Sequence, residues 1–315
     1  MNISEQDSGF AFVREFMLRG FSCEWKIRIL LFSLFPATYT LTITGNGAIV
    51  CALWCDQRLH TPMYMFLGNF SFLEIWYVSS TVRKMLVNFL SEEKTISFAG
   101  GFLQFYFFFS LGTSECLLLA VMSFDWYLAI CHPLHYPNIM TGHLYIKLVI
   151  ICWVCGSLWF MIPIVLISKI PFCAPNIIDH IVCDPGPLFS LACTSAPKTQ
   201  LLCYTLSSLV TFGNFLFILG SYTLVLIAVL RMPSATGRYK AFSTCGSHLA
   251  VVLLFYGSLM VMYVSPGLVH SAGMQKMATL FYAMVTPLFN PLIYSLRNKE
   301  IKTALRKVMG SSNII

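Results

Sequence analysis

Leu201–Leu230 reads LLCYTLSSLVTFGNFLFILGSYTLVLIAVL, thirty consecutive residues without a charge. A helix needs about twenty apolar residues to cross the hydrocarbon core of a bilayer, so this run by itself predicts a membrane-spanning helix. Three more runs are equally free of charge: Ile29–Trp54, Leu148–Ser168 and Met277–Leu296. Another three, Pro62–Val82, Phe98–Phe124 and Ala241–Val264, carry one titratable group each, Glu74, Glu115 and His248. Together they predict an all-α membrane protein, a seven-transmembrane helix bundle over residues 29–297. Its spans are about 29–54, 62–82, 98–124, 148–168, 201–230, 241–264 and 277–296. The N-terminal segment is 1–28 and the tail 298–315.

Composition agrees with lipid as the solvent. Hydrophobic residues make up 57%, aromatics 15% and charged residues only 10%, far from a soluble average. Twenty Lys and Arg against thirteen Asp and Glu give +7, yet no basic run tracks a phosphate backbone, so no nucleic-acid partner is expected. Met1–Arg28 is mixed and polar, without a signal-peptide pattern, which leaves targeting to the first span. No nucleophile–base set, metal cluster or phosphate loop appears, so the reading is not an enzyme.

Orientation by Lys and Arg counting is a tie on the model with the N-terminus outside, ten of twenty falling inside. Asn2-Ile3-Ser4 is a glycosylation sequon that needs the outer side, and the cluster Cys173, Cys183 and Cys193 suits an oxidising compartment. Both favour the N-terminus extracellular and the tail cytoplasmic. From Asn298 to Met309 charges alternate with Ile301, Leu305 and Val308 at helical spacing, which predicts an amphipathic cytoplasmic helix.

Short stretches at the helix ends narrow the reading. Gly45-Asn46 lies in the first span and Leu59-His60-Thr61-Pro62-Met63-Tyr64 opens the second. Met122-Ser123-Phe124-Asp125-Trp126-Tyr127 closes the third and runs into Ala129-Ile130-Cys131-His132-Pro133-Leu134. Ser221-Tyr222 sits in the fifth, Lys240-Ala241-Phe242-Ser243-Thr244-Cys245-Gly246-Ser247-His248-Leu249 opens the sixth, and Pro287-Leu288-Phe289-Asn290-Pro291-Leu292-Ile293-Tyr294 closes the seventh. In this order and spacing they resemble an odorant receptor of the rhodopsin-like G-protein-coupled class. The resemblance implies a plasma-membrane receptor that binds a small odorant inside the bundle and engages a heterotrimeric stimulatory G protein of the olfactory type.

It also implies roles for particular residues. The pocket wall would comprise Phe108, Phe109, Gly112 and Thr113 of the third span, Leu206, Ser207 and Val210 of the fifth, Tyr256, Leu259 and Tyr263 of the sixth, and Leu280 of the seventh. These are mostly apolar with a few hydroxyls, which suits a weakly polar ligand. Carboxylates within a span are costly unless they face the bundle interior, so Glu74 and Glu115 are candidates for function or for hydrogen-bonded helix packing; the resemblance implies that they sit beside Asn46 and Asn290 in a polar cavity that could take a sodium ion. No other cofactor is expected. Pro291 removes a backbone donor, and Asn290 is placed to help satisfy the freed carbonyls. Activation and coupling would fall to Asp125, Trp126, Tyr127, Tyr222, His248, Asn290, Pro291 and Tyr294, with Tyr222 and Tyr294 meeting when the sixth helix swings outward.

Two positions depart from the family. Its second outer loop carries three cysteines, one tied to the top of the third helix, where this chain has Gly101. The resemblance implies a Cys173–Cys193 pair with Cys183 unpaired, although spacing alone leaves the pairing of three cysteines open. At the inner end of the third helix the family's Asp-Arg-Tyr reads Asp125-Trp126-Tyr127, and an indole has one donor and no charge. Three readings follow in order: a signalling chemosensory receptor, a receptor variant impaired in coupling or export, and a transporter or channel.

Overall fold

The computed structural model describes residues 15–20, 25–90, 94–172, 176–231, 233–263, 272–297 and 299–311. In chain order these form β1 (Glu15–Leu18), α1 (Trp25–Cys55), α2 (Pro62–Leu90), β2 (Thr95–Ser97), α3 (Phe98–Cys131), α4 (Tyr136–Ile139), α5 (Gly142–Trp159) and α6 (Met161–Ser168). There follow β3 (Ile177–Ile178), α7 (Pro185–Ser190), α8 (Pro197–Leu230), α9 (Ala235–Tyr263), α10 (Ala272–Leu280), a π-helical turn Phe281–Val285, α11 (Thr286–Arg297) and α12 (Lys299–Ser311). A seven-helix bundle results: α5 with α6 makes its fourth member, α8 and α9 its fifth and sixth, and α10, the π turn and α11 its seventh. Among the described residues α3, α5–α6 and α8 are apolar and long enough by themselves to cross a membrane.

The bundle is inside out relative to a soluble one, because lipid solvates apolar side chains as well as a core does. Ile150, Ile151, Val154, Leu158 and Ile162 stand exposed along α5 and α6, as do Leu216, Leu224 and Leu230 on α8. By contrast α3 is the central post, burying residues on all sides from Gly101 to Leu128, while α5 buries only Cys152 and Gly156. Small size is what brings α5 onto α3. A Cβ on Gly156 would lie 1.9 Å from Ser114 Oγ and 2.9 Å from Ser114 N.

Prolines explain the irregularities. Pro163 cannot donate to the Trp159 carbonyl, and there the helix breaks at Phe160, with φ −96° and ψ 4°, before α6 resumes. Pro287 likewise cannot donate to Ala283, and its ring would crowd that carbonyl. The helix widens by one residue instead, so that the N–H of Thr286 reaches Phe281 O. Pro291 leaves the Pro287 carbonyl without its helical donor. Asn46 Nδ2 fills the gap across the helix pair at 3.3 Å, and a Cβ on Gly45 would lie only 3.1 Å from Pro291 Cγ. Gly45-Asn46 is thus the surface of α1 that fits the proline kink. Asn290, expected to help satisfy the freed carbonyls, instead donates through Nδ2 to Glu74 Oε1.

One end of the bundle carries a small three-stranded sheet, order β2-β1-β3, that the helical reading did not foresee. β1 runs antiparallel to β2, with Phe16 opposite Ile96, and parallel to β3, with Leu18 opposite Ile178. Phe16 and Leu18 are buried, and Phe16 rests among the rings of Phe98, Phe102 and Phe172. Such short strands carry no hydrophobic period that can be told from a loop. The opposite end carries α12. Its Ile301 and Ala304 are buried, and the Tyr64 hydroxyl donates to Glu300 Oε2 at 2.6 Å, fastening it to α2.

Candidate functional site: a bundle cavity, a polar core and the α12-end contacts

A cavity of about 40 Å³ lies between α3, α8 and α9, in the half of the bundle nearer the sheet. Seven residues singled out from the sequence line it: Phe108, Phe109, Gly112, Thr113, Ser207, Val210 and Leu259. Cys116, Phe160, Thr211 and Tyr282 complete the wall and escaped that reading. Cys116 and Thr211 continue the helical spacing of Thr113 and Ser207, so periodicity could have found them. Phe160 and Tyr282 could not be found that way, since the Pro163 break and the π turn aim them. Gly112 makes room for Tyr282: a Cβ there would sit 2.9 Å from the Tyr282 hydroxyl. The Tyr282 ring packs against Tyr77, Phe108 and Phe255 at 5.6, 5.9 and 5.4 Å between centroids.

Three of the remaining predicted wall residues lie elsewhere. Leu206 lends its carbonyl to Trp159 Nε1 at 3.2 Å and does not line the cavity. Tyr256 is fully buried between Phe215 and Phe255. Leu280 packs in a separate cluster with Phe35, Val78 and Met284. The side chains of Tyr263 and Tyr294 are outside the described residues.

Toward the α12 end lies a buried polar core. Glu74 and Glu115 interact directly, and Asn290 bonds Glu74. Four oxygen acceptors here, Asn46 Oδ1, Glu74 Oε2, Glu115 Oε1 and Asn290 Oδ1, have no hydrogen-bond donor among the described residues. Beyond it, the Tyr222 hydroxyl meets His248 Nδ1 at 2.6 Å and links α8 to α9. Asp125 Oδ1 accepts from the Tyr136 hydroxyl at 2.8 Å, and Tyr127 meets His132 Nε2 at 3.1 Å. Trp126 packs into an apolar cluster with Val225 and Val229 of α8 and Cys245 of α9.

The profile of the olfactory receptor family matches residues 35–312. The chain belongs to that family. Human Olfactory receptor 11H1 is 82% identical over 315 residues, covering all of this chain and 97% of the relative. Human Olfactory receptor 6N1 is 47% identical over 303 residues, covering 96% and 97%. Squid rhodopsin superposes with a TM-score of 0.74 at 16% identity, over 92% of this chain and 82% of that one, a likeness of fold. This olfactory receptor is therefore a multi-pass membrane protein of the G-protein-coupled class, a signalling receptor and not an enzyme.

In the receptor's loop between α6 and α8, Cys193 is disulfide-bonded and Cys183 is a buried free thiol. Cys173 and Asn2 are outside the described residues. Cys183 Sγ lies 3.1 Å from where a Cβ on Gly101 would stand. Burial pushes the Cys183 thiol up to about 12, with the nearby Asp184 adding to the shift.

Proposed function

We propose that this receptor binds a small, weakly polar odorant in the cavity between α3, α8 and α9 and couples, weakly, to a stimulatory G protein of the olfactory type. It sits in the plasma membrane with the sheet end extracellular and α12 cytoplasmic. The observation that carries the ligand class is the lining. It is apolar and aromatic apart from the hydroxyls of Thr113, Ser207, Thr211 and Tyr282 and the Cys116 thiol, and among the described residues no charged side chain lines it. A charged ligand would be desolvated there without a partner, whereas an alcohol, ketone or aldehyde finds hydroxyls and shape.

Weak coupling rests on Trp126. An arginine at this position could pair with Asp125 or reach toward a G protein; the indole does neither, and Asp125 takes Tyr136 as its partner instead. A sodium ion is part of the reading. One oxygen from each of the two carboxyl groups and the side-chain oxygens of Asn46 and Asn290, all without a hydrogen-bond donor among the described residues, form the hard oxygen set such a cation takes, and Glu74 and Glu115 would hold it.

The test is a cyclic-nucleotide reporter in cells expressing the receptor at matched surface levels, screened with both neutral and charged small molecules. Trp126→Arg raises basal and odorant-driven signal severalfold. Equal signalling by the unaltered chain and Trp126→Arg would sink the coupling argument, and responses confined to charged ligands would sink the ligand class.

A further inference from the structure

Loops normally run over the surface, because their backbone groups need water. His180, Ile181, Val182 and Cys183 do the opposite: all four are 4% exposed or less. This stretch, between β3 and α7, turns down into the bundle from the outer side. Ile181 and Val182 enter the cluster of Phe35, Val78, Leu280 and Met284, between α1, α2 and α10. The ligand cavity lies across the bundle, against α3, α8 and α9. The loop thus fills the space between α1, α2 and α10 with its own side chains.

The contacts that seat it are polar and gather at α10. Lys276 is 5% exposed and its Nζ lies 2.6 Å from Asp179 Oδ1. The His180 ring accepts the Val182 N–H at Nδ1, 3.3 Å away, and meets the Thr279 hydroxyl through Nε2 at 3.4 Å. At the other end of the stretch, where Cys183 faces α3, Gly101 offers no covalent hold.

We infer that Ile181 and Val182 are a built-in plug that closes the α1/α2/α10 half of the receptor to ligand, and that the Asp179–Lys276 pair is the latch that keeps it seated. The plug sets the size of what can enter. The inference rests on the outward orientation of the sheet end given under Proposed function, and its test uses no odorant, so failure of the ligand reading leaves it standing.

Leu280→Cys places a thiol beneath the plug. A charged, membrane-impermeant methanethiosulfonate is applied to intact cells, with the unaltered chain as background. With the latch intact Leu280→Cys labels slowly. Asp179→Ala or Lys276→Gln, which open the same latch from either side, speed labelling at least about 10-fold, the margin of a contact worth about 1.4 kcal/mol. Asp179→Lys combined with Lys276→Asp returns it to the slow rate. Replacing Ile181 and Val182 by alanine admits bulkier methanethiosulfonates that the latched chain excludes. Labelling that is equally fast with and without the latch, or a charge-reversed pair that labels like the single variants, overturns the proposal. A size limit unmoved by the two alanines does the same. Labelling of no form, including the two-alanine form, overturns the outward orientation on which it rests.

Discussion

Asn46 Nδ2 donates to the carbonyl of Pro287 at 3.3 Å, closing the gap that Pro291 opens four residues later in α11. The same amide also donates to Thr42 O at 3.0 Å within α1. Asn46→Leu would leave the Pro287 carbonyl buried without a donor, a cost of about 1–3 kcal/mol. Its melting temperature in detergent, read by a thiol-reactive dye, falls accordingly. Gly45→Val drives α1 off the proline ring and destabilises the receptor as well. A Gly47→Ala control, where a Cβ meets nothing within 4 Å among the described residues, stays near the parent.

Gly101 and Cys183 are set for a bond the chain cannot make. Across a disulfide a Cβ stands about 3 Å from the far sulfur, given an S–S bond of about 2.05 Å. Gly101→Cys is therefore expected to oxidise with Cys183 and stabilise the receptor by roughly 2–4 kcal/mol. Mass spectrometry would detect the linked peptides, and dithiothreitol would abolish the gain. If Gly101→Cys, Cys183→Ser is stabilised to the same degree, the bond is not the cause. In the unaltered receptor Cys183 resists iodoacetamide at neutral pH, because burial holds its thiol protonated up to about 12.

The Tyr282 hydroxyl occupies space that only glycine at position 112 leaves open. Gly112→Ala pushes it aside, a strain of about 1–3 kcal/mol, and lowers odorant potency about 10-fold or more in the reporter assay. Adding Tyr282→Phe, which removes the atom in conflict, restores much of the response. An unchanged potency in Gly112→Ala would mean that the odorant does not use this cavity.

His180 makes the outer loop sensitive to acid. Burial holds its imidazole below the ordinary value of 6.5, with Asp184 and Asp179 opposing that shift and Lys276 adding to it. The folded pKa is the lower one, so the unfolded chain takes up the proton first. Stability is present in full above about pH 6.5 and is lost as pH falls toward the depressed value. Protonation turns Nδ1 from an acceptor of the Val182 N–H into a donor to the Val182 carbonyl 3.2 Å away, so that bond offsets part of the cost of burying the charge. The melting temperature drops between neutral pH and pH 5 by more in the parent than in His180→Gln. Parallel pH curves for the two forms would exclude His180.

By itself the sequence determined that this chain lives in lipid and crosses it as seven helices. A run such as Leu201–Leu230 has no other stable solvent, and the end-of-helix stretches from Gly45-Asn46 to Tyr294 marked the family. The rule that buried charges must find partners marked Glu74 and Glu115 as candidates, and the family resemblance placed them with Asn290 in one polar group. Tertiary structure alone decided which face each helix turns inward. Helix period places Phe109 and Thr113 on one stripe, yet it does not say that Leu206 looks away while Thr211 looks in. The loop pairings Lys276–Asp179 and Ile181–Leu280 join residues about a hundred positions apart in a polar segment with no period, and only the folded chain brings them together.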